Sequence, residues 1–212
     1  MKNLTDLFKL LEITRDQPQY GYALVGIHQG DQSNLAEHHY LVTFIAWQIA
    51  LHVKDAGAKI DVEKVLEFSL IHDLGELFGG DIAMPYARVN PKAKVLAKAF
   101  ESENHQFLSK FFGKEKQHFL ELSSEIMEAE SDEALIAKIA DYMELAHFRF
   151  HMKTFDKWDV ELIGPKILEK ISKIKDQIAK KELGKFLEMW VNQMPDKKAI
   201  DVIESGENGG NG

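Results

Sequence analysis

His72 and Asp73 stand side by side at the end of an apolar run, and Glu76 and Asp81 follow closely in His72-Asp73-Leu74-Gly75-Glu76-Leu77-Phe78-Gly79-Gly80-Asp81. A His-Asp pair alone carries little. Nine His and 14 Asp in 212 residues give about 0.6 such pairs by chance; adding Glu and Asp at these offsets lowers the expectation below about 0.01. A carboxylate carried into an apolar environment needs a compensating charge, and a divalent cation supplies one. Imidazole with carboxylate suits a borderline metal such as Mn, Fe, Co, Ni or Zn. Two adjacent residues fill two corners of an octahedron, so further ligands must come from elsewhere. The candidates are His38, in Asn34-Leu35-Ala36-Glu37-His38-His39-Tyr40, and Asp141, in Lys138-Ile139-Ala140-Asp141-Tyr142-Met143-Glu144.

The elements that must position these groups read as helices. Leu4, Leu7, Phe8 and Leu11 follow helical spacing, and the helix ends before Pro18. Residues 19–33, broken by Gly21, Gly26 and Gly30, are irregular. Asn34 with Glu37 forms a capping-box pattern opening a helix to about Asp55, which Gly57 stops. A second starts near Asp61 and runs into the His-Asp pair, and Pro85 marks a loop. Asn90-Pro91 launches a helix to about Phe112. Helices are expected over Lys114 to Glu130, Asp132 to Met152, Val160 to Lys180 and Leu183 to Met194. The fold class is all-α: a single-domain helical bundle over residues 1–204, with a disordered Gly- and Asn-rich tail over 205–212.

Composition narrows the function. Lys+Arg 26 against Asp+Glu 34 gives a net charge of −8, a poor match for nucleic acid or an anionic bilayer. There is no cysteine, which excludes thiolate zinc sites, iron–sulfur clusters and cysteine nucleophiles. No apolar run approaches the roughly 20 residues that span a bilayer. Met1-Lys2-Asn3-Leu4-Thr5-Asp6 has no apolar leader core, so the expected location is the cytoplasm.

An early helix with His in an A-E-H context, then H-D-x-x-E-x-x-x-G-D, then A-D-x-x-E, resembles the HD-domain metal-dependent phosphohydrolases. The likeness is greatest to the branch of the 5′-deoxynucleotidases and HD-domain-containing protein 2, and it covers roughly Leu4 to Met152. The resemblance implies a bundle of the HD-domain type in which His38, His72, Asp73 and Asp141 bind one divalent metal: Mn, Co, Ni, Fe, Zn or Mg. It implies catalytic or water-positioning roles for Glu76 and Asp81, with Glu76 as acid/base and Glu37 as a supporting or capping group. The implied reaction is hydrolysis of a phosphate ester, a (deoxy)nucleoside 5′-monophosphate first and a nucleoside triphosphate next. Relatives also pair as homodimers.

The chain departs from the family at one place. Gln19, in Pro18-Gln19-Tyr20-Gly21-Tyr22, stands where relatives carry an arginine that grips the substrate phosphate, and tyrosine replaces their tryptophan. Gln19, Tyr22 and Arg88 are therefore the substrate-binding candidates, with Lys92 and Lys94 as other cations. His105 and His118 fall between Asp73 and Asp141, where two-metal relatives place two more ligands. They define the alternative of a two-metal oxygenase or phosphodiesterase. A non-catalytic nucleotide-binding domain is the third reading, favoured by Gln19. His147 and His151 read as surface or packing histidines.

Overall fold

The computed structural model describes residues 2–79, 82–194 and 198–205, and every structural statement below concerns them. They form helices, short 3₁₀ turns and loops, with one isolated bridge joining Pro18 to Asn34.

α1 (Lys2–Leu11) leads through 3₁₀ turns into the 17–34 loop. That loop is pinned where α2 (Leu35–Asp55) begins: Gln19 N–H donates to Ser33 O at 3.0 Å and Leu35 N–H to Gln17 O at 2.9 Å. The capping box is formed on both sides, Glu37 N–H to Asn34 Oδ1 at 3.0 Å and Asn34 N–H to Glu37 Oε2 at 3.3 Å. Its consequence is positional: it fixes the first turn of α2, and His38 is the next residue. α3 (Val62–Ile71) starts on an Asp61 cap and stops at His72, and a 3₁₀ turn (Leu74–Glu76) follows.

α7 (Asp132–His151) is the central rod. Leu135, Ile136, Ile139, Ala140, Met143 and Ala146 are all buried, the pattern of a helix covered on most sides. One core forms where α7 meets α2, α8 (Lys157–Lys173) and α9 (Gln177–Gln193), through Val42, Ile49, Ile139, Ile167, Ile171 and Leu183. The other lies between α3, α5 (Pro91–Ser109), α6 (Lys116–Glu128) and α7, through Phe68, Leu74, Leu77, Leu108, Phe119 and Ile126. Phe68 and Ile71 face the second core whereas Val65 faces the first. The end of α3, with His72 and Asp73, therefore sits where the two cores meet.

Three expectations change. Pro85 does not mark a loop: it lies in the first turn of a short helix, α4 (Met84–Val89), where the missing N–H costs no hydrogen bond. The helix expected over Val160 to Lys180 ends at Lys173, and the next starts at Gln177. Asp176 caps it by accepting from Ile178 N–H and Ala179 N–H, both at 2.9 Å, while Asp132 accepts from the Lys175 and Asp176 amides at 2.8 Å. Ser205 belongs to a last helix, α10 (Ala199–Ser205), rather than to the tail; residues 206–212 lie outside the described residues.

Candidate metal centre

Three helices deliver four side chains to one point. His38 comes from the first turn of α2, His72 and Asp73 from the end of α3, and Asp141 from the middle of α7. One ligand atom from each lies within 4.8 Å of all the others. His38 Nε2 is 3.1 Å from His72 Nε2, 3.5 Å from Asp73 Oδ2 and 3.4 Å from Asp141 Oδ1. His72 Nε2 is 3.3 Å from Asp73 Oδ2.

The protonation of the two rings decides what this arrangement can hold. His38 Nδ1 is 2.6 Å from Glu144 Oε2, and His72 Nδ1 is 2.8 Å from the Ser69 carbonyl. Both partners are acceptors, so both Nδ1 atoms donate, and in the neutral rings each Nε2 presents a lone pair. Nε2 atoms 3.1 Å apart need a positive charge between them, either a proton on one ring or a cation. Burial by itself lowers the His38 pKa, but hydrogen bonds with Asp141, Asp73 and Glu144 overcome it and hold the group well above its ordinary value. Burial works against ionised Asp73 as well, and the charges of His72 and Lys138 outweigh it. The pocket thus favours positive charge at its centre, with two nitrogen and two oxygen donors facing it. That donor set fits a divalent transition metal.

Around the four lie groups that the sequence reading left without roles. Glu144 accepts from His38 on one side and from Tyr22 Oη, at 3.3 Å, on the other. A carboxylate behind a ligating histidine fixes its tautomer and raises its basicity. Replacing Glu144 with leucine keeps the volume and removes the acceptor. Metal affinity should fall about 10- to 100-fold, read by competition with a chromophoric chelator; unchanged affinity would deny Glu144 this role. The signal was in the sequence, since Glu144 lies three residues after Asp141 on the same helix. Lys138 lies three before it, its Nζ 3.5 Å from Asp73 Oδ1 and 3.8 Å from Asp141 Oδ2.

α5 holds the Asp73–Glu76 turn from behind. Asn104 Nδ2 donates to Gly75 O at 2.6 Å. A Cβ on Gly75 would meet Glu101 Cγ at 2.2 Å and His105 Cε1 and Nε2 at 3.0 Å. Gly75→Ala must therefore displace the Glu101 side chain and crowd the buried His105 ring, an overpacking cost of about 1–3 kcal/mol. Urea denaturation measures it, and a variant as stable as wild type would show that the contact gives way freely.

The remaining candidates are placed as follows. Glu76 is half-buried on the turn and its N–H donates to Asp73 O at 2.9 Å. Asp81 lies outside the described residues. Gln19 is half-buried in the pinned loop. Tyr22 is buried against Phe148, with ring centroids 4.4 Å apart, so it backs His38 through Glu144 rather than facing a substrate. Glu37 is the capping partner of Asn34. Of the three arginines, Arg15 pairs with Glu12 at 2.7 Å, and buried Arg149 pairs with Asp159 and donates to Thr154 O at 2.7 Å. Arg88 is exposed on α4, near enough for its charge to act on Tyr142 beside Asp141. His118 Nε2 pairs with Glu67 at 2.8 Å on the half-exposed face of α6, and burial holds His105 down at about 4. Among the described residues neither joins the four-residue group. His147 accepts from Trp190 Nε1 at 3.0 Å, and His151 is exposed.

The HD-domain family profile matches residues 23–182, which include all four grouped side chains. The chain belongs to the HD-domain family. It is 30% identical over 109 residues to a 5′-deoxynucleotidase of Vibrio vulnificus, a match covering 51% of this chain and 56% of that protein. Over 106 residues it is 30% identical to a 5′-deoxynucleotidase of Yersinia pestis, covering 49% and 53%. The chain thus spans about half the length of the curated relatives it matches. Among solved structures, the PH0347 protein of Pyrococcus horikoshii OT3 superposes with a TM-score of 0.63 at 25% identity, covering 90% of this chain and 98% of that one. A conserved hypothetical protein of Pyrococcus furiosus shares the fold, with a TM-score of 0.62 at 24% identity over 87% and 99%. No helix among the described residues is long and apolar enough to cross a membrane.

Proposed function

We propose that the chain is a metal-dependent phosphohydrolase that cleaves a (deoxy)nucleoside 5′-monophosphate to nucleoside and inorganic phosphate. The observation that carries this reading is the convergence of His38, His72, Asp73 and Asp141, one ligand atom of each within 4.8 Å of all the others, with both Nδ1 atoms held by acceptors so that both Nε2 atoms face the centre. The names of the matched relatives support the substrate class.

In this reading His38, His72, Asp73 and Asp141 hold one divalent ion. When bound, such an ion lowers the pKa of nearby water and draws charge from a phosphoryl oxygen. Glu144 and the Ser69 carbonyl keep both imidazoles in the ligating tautomer. Glu76 lies three residues past Asp73, and its charge acts on Lys138, which pairs with Asp73 and Asp141; this supports giving it the proton-transfer role. It takes a proton from the attacking water as the water oxygen bonds to phosphorus. The P–O5′ bond breaks, and the proton passes to the leaving 5′-oxygen. Cytoplasmic location and pairing as a homodimer belong to the same reading, the latter checked by sedimentation.

A phosphate-release screen of nucleoside mono-, di- and triphosphates with Mn, Co, Ni and Mg tests the proposal. Monophosphates should be turned over with at least one of these metals. Release from triphosphates alone would shift the substrate, and no release from any would overturn the reading.

A further inference from the structure

The site is crowded with negative charge. Asp73, Asp141 and Glu144 lie within it, and Glu76 and Glu101 are close enough for their charges to act on Lys138. A phosphate monoester brings nearly two more negative charges at neutral pH. One divalent ion does not balance that sum, so a dianion entering here needs a further cation beside the metal-facing atoms.

Lys138 occupies that position. Asp73 Oδ2 and Asp141 Oδ1 face the two Nε2 atoms, whereas Lys138 Nζ approaches the opposite oxygens, Asp73 Oδ1 at 3.5 Å and Asp141 Oδ2 at 3.8 Å. It is the lysine or arginine that pairs with the ligand carboxylates among the described residues. An ammonium has three donors, and ion pairs as long as 3.5 and 3.8 Å leave room for a further acceptor on it. Its side chain keeps 22% of its surface exposed, as Asp73 (16%) and Asp141 (24%) do, against 0–3% for the two ligating histidines, so it lies with the two carboxylates on the more open side of the cluster.

We propose that Lys138 is a substrate-binding residue: its ammonium, held by the outer oxygens of Asp73 and Asp141, receives the phosphate of the substrate next to the metal. This assignment rests on the phosphohydrolase reading for its substrate class, but it makes its own claim about inorganic phosphate. Lys138 draws a phosphate oxygen and the two carboxylates to one cation, so binding at Lys138 orients the phosphorus toward the ion.

The test is phosphate binding to the metal-loaded full chain, with inorganic phosphate as the probe, beside metal content. Lys138→Met should keep its metal and lose phosphate affinity about 10- to 100-fold, the effect of one charge-assisted hydrogen bond. KM for a monoester should rise by a similar factor, Lys138→Arg should recover part of both, and Lys185→Met, at an exposed lysine of α9 that pairs with Glu182, should stay within about twofold of wild type. Unchanged phosphate affinity in Lys138→Met overturns the assignment, and so does loss of the metal, which would make Lys138 a support for the carboxylates alone. A measurement on wild type does not depend on the variants folding: phosphate should slow reductive methylation of Lys138, read by peptide mass spectrometry, and an unaltered rate overturns the assignment. Phosphate bound at Lys138 without hydrolysis of any nucleotide would remove the hydrolase reading and leave this one standing. Hydrolysis with Lys138 variants of wild-type KM would do the reverse.

Discussion

Replacing Asp73 with alanine should lower phosphate release at least about a thousandfold and abolish stoichiometric metal binding. Asp73 lies against both histidines and Lys138: Oδ2 is 3.5 Å from His38 Nε2 and 3.3 Å from His72 Nε2, and Oδ1 is 3.5 Å from Lys138 Nζ. Its loss removes one donor and unbalances the charge that favours a cation. Metal stabilisation of developing phosphoryl charge amounts to several kcal/mol, and each 1.36 kcal/mol is about tenfold in rate. The assay is phosphate release beside metal analysis of the same preparation, with a circular dichroism melt to show that the helices persist. A folded Asp73→Ala protein with wild-type turnover would remove Asp73 from the centre.

Glu76→Gln separates chemistry from metal binding. The amide keeps the shape and loses the ability to take a proton, so kcat should drop by about 10²- to 10⁴-fold. Metal content should stay at the wild-type value, because Glu76 is not among the four grouped side chains. A variant that loses its metal would make Glu76 part of the ion's support, and one with unchanged kcat would pass the proton role to another group.

The sequence carried the centre further than its surroundings. His72 and Asp73 are adjacent, and helical spacing with apolar neighbours put His38 and Asp141 on inward faces, so local pattern and buried position coincided. Glu144 and Lys138 share the face of α7 with Asp141, yet spacing does not tell a ligand from the group behind it. That distinction depends on which atom of His38 points where, a tertiary fact. Glu101 and Asn104 had no signal, because their importance comes from the packing of α5 against Gly75, a contact that spacing along the chain does not show. Tyr22 shows the opposite failure. A tyrosine in the loop before the first ligand stands among the substrate-binding candidates, whereas the pinned 17–34 segment turns it inward onto Glu144 and Phe148. The fold was legible in the caps, Asn34 above all. It was missed where a cap was overlooked: Asp176 starts α9, and Asp132 on α7 secures the break before it.

Anomalous diffraction from crystals grown with Mn or Co tests the central claim most directly. One peak per chain, bounded by His38 Nε2, His72 Nε2, Asp73 Oδ2 and Asp141 Oδ1, is the predicted result. A peak at any other place, or none at these four atoms under saturating metal, would contradict it.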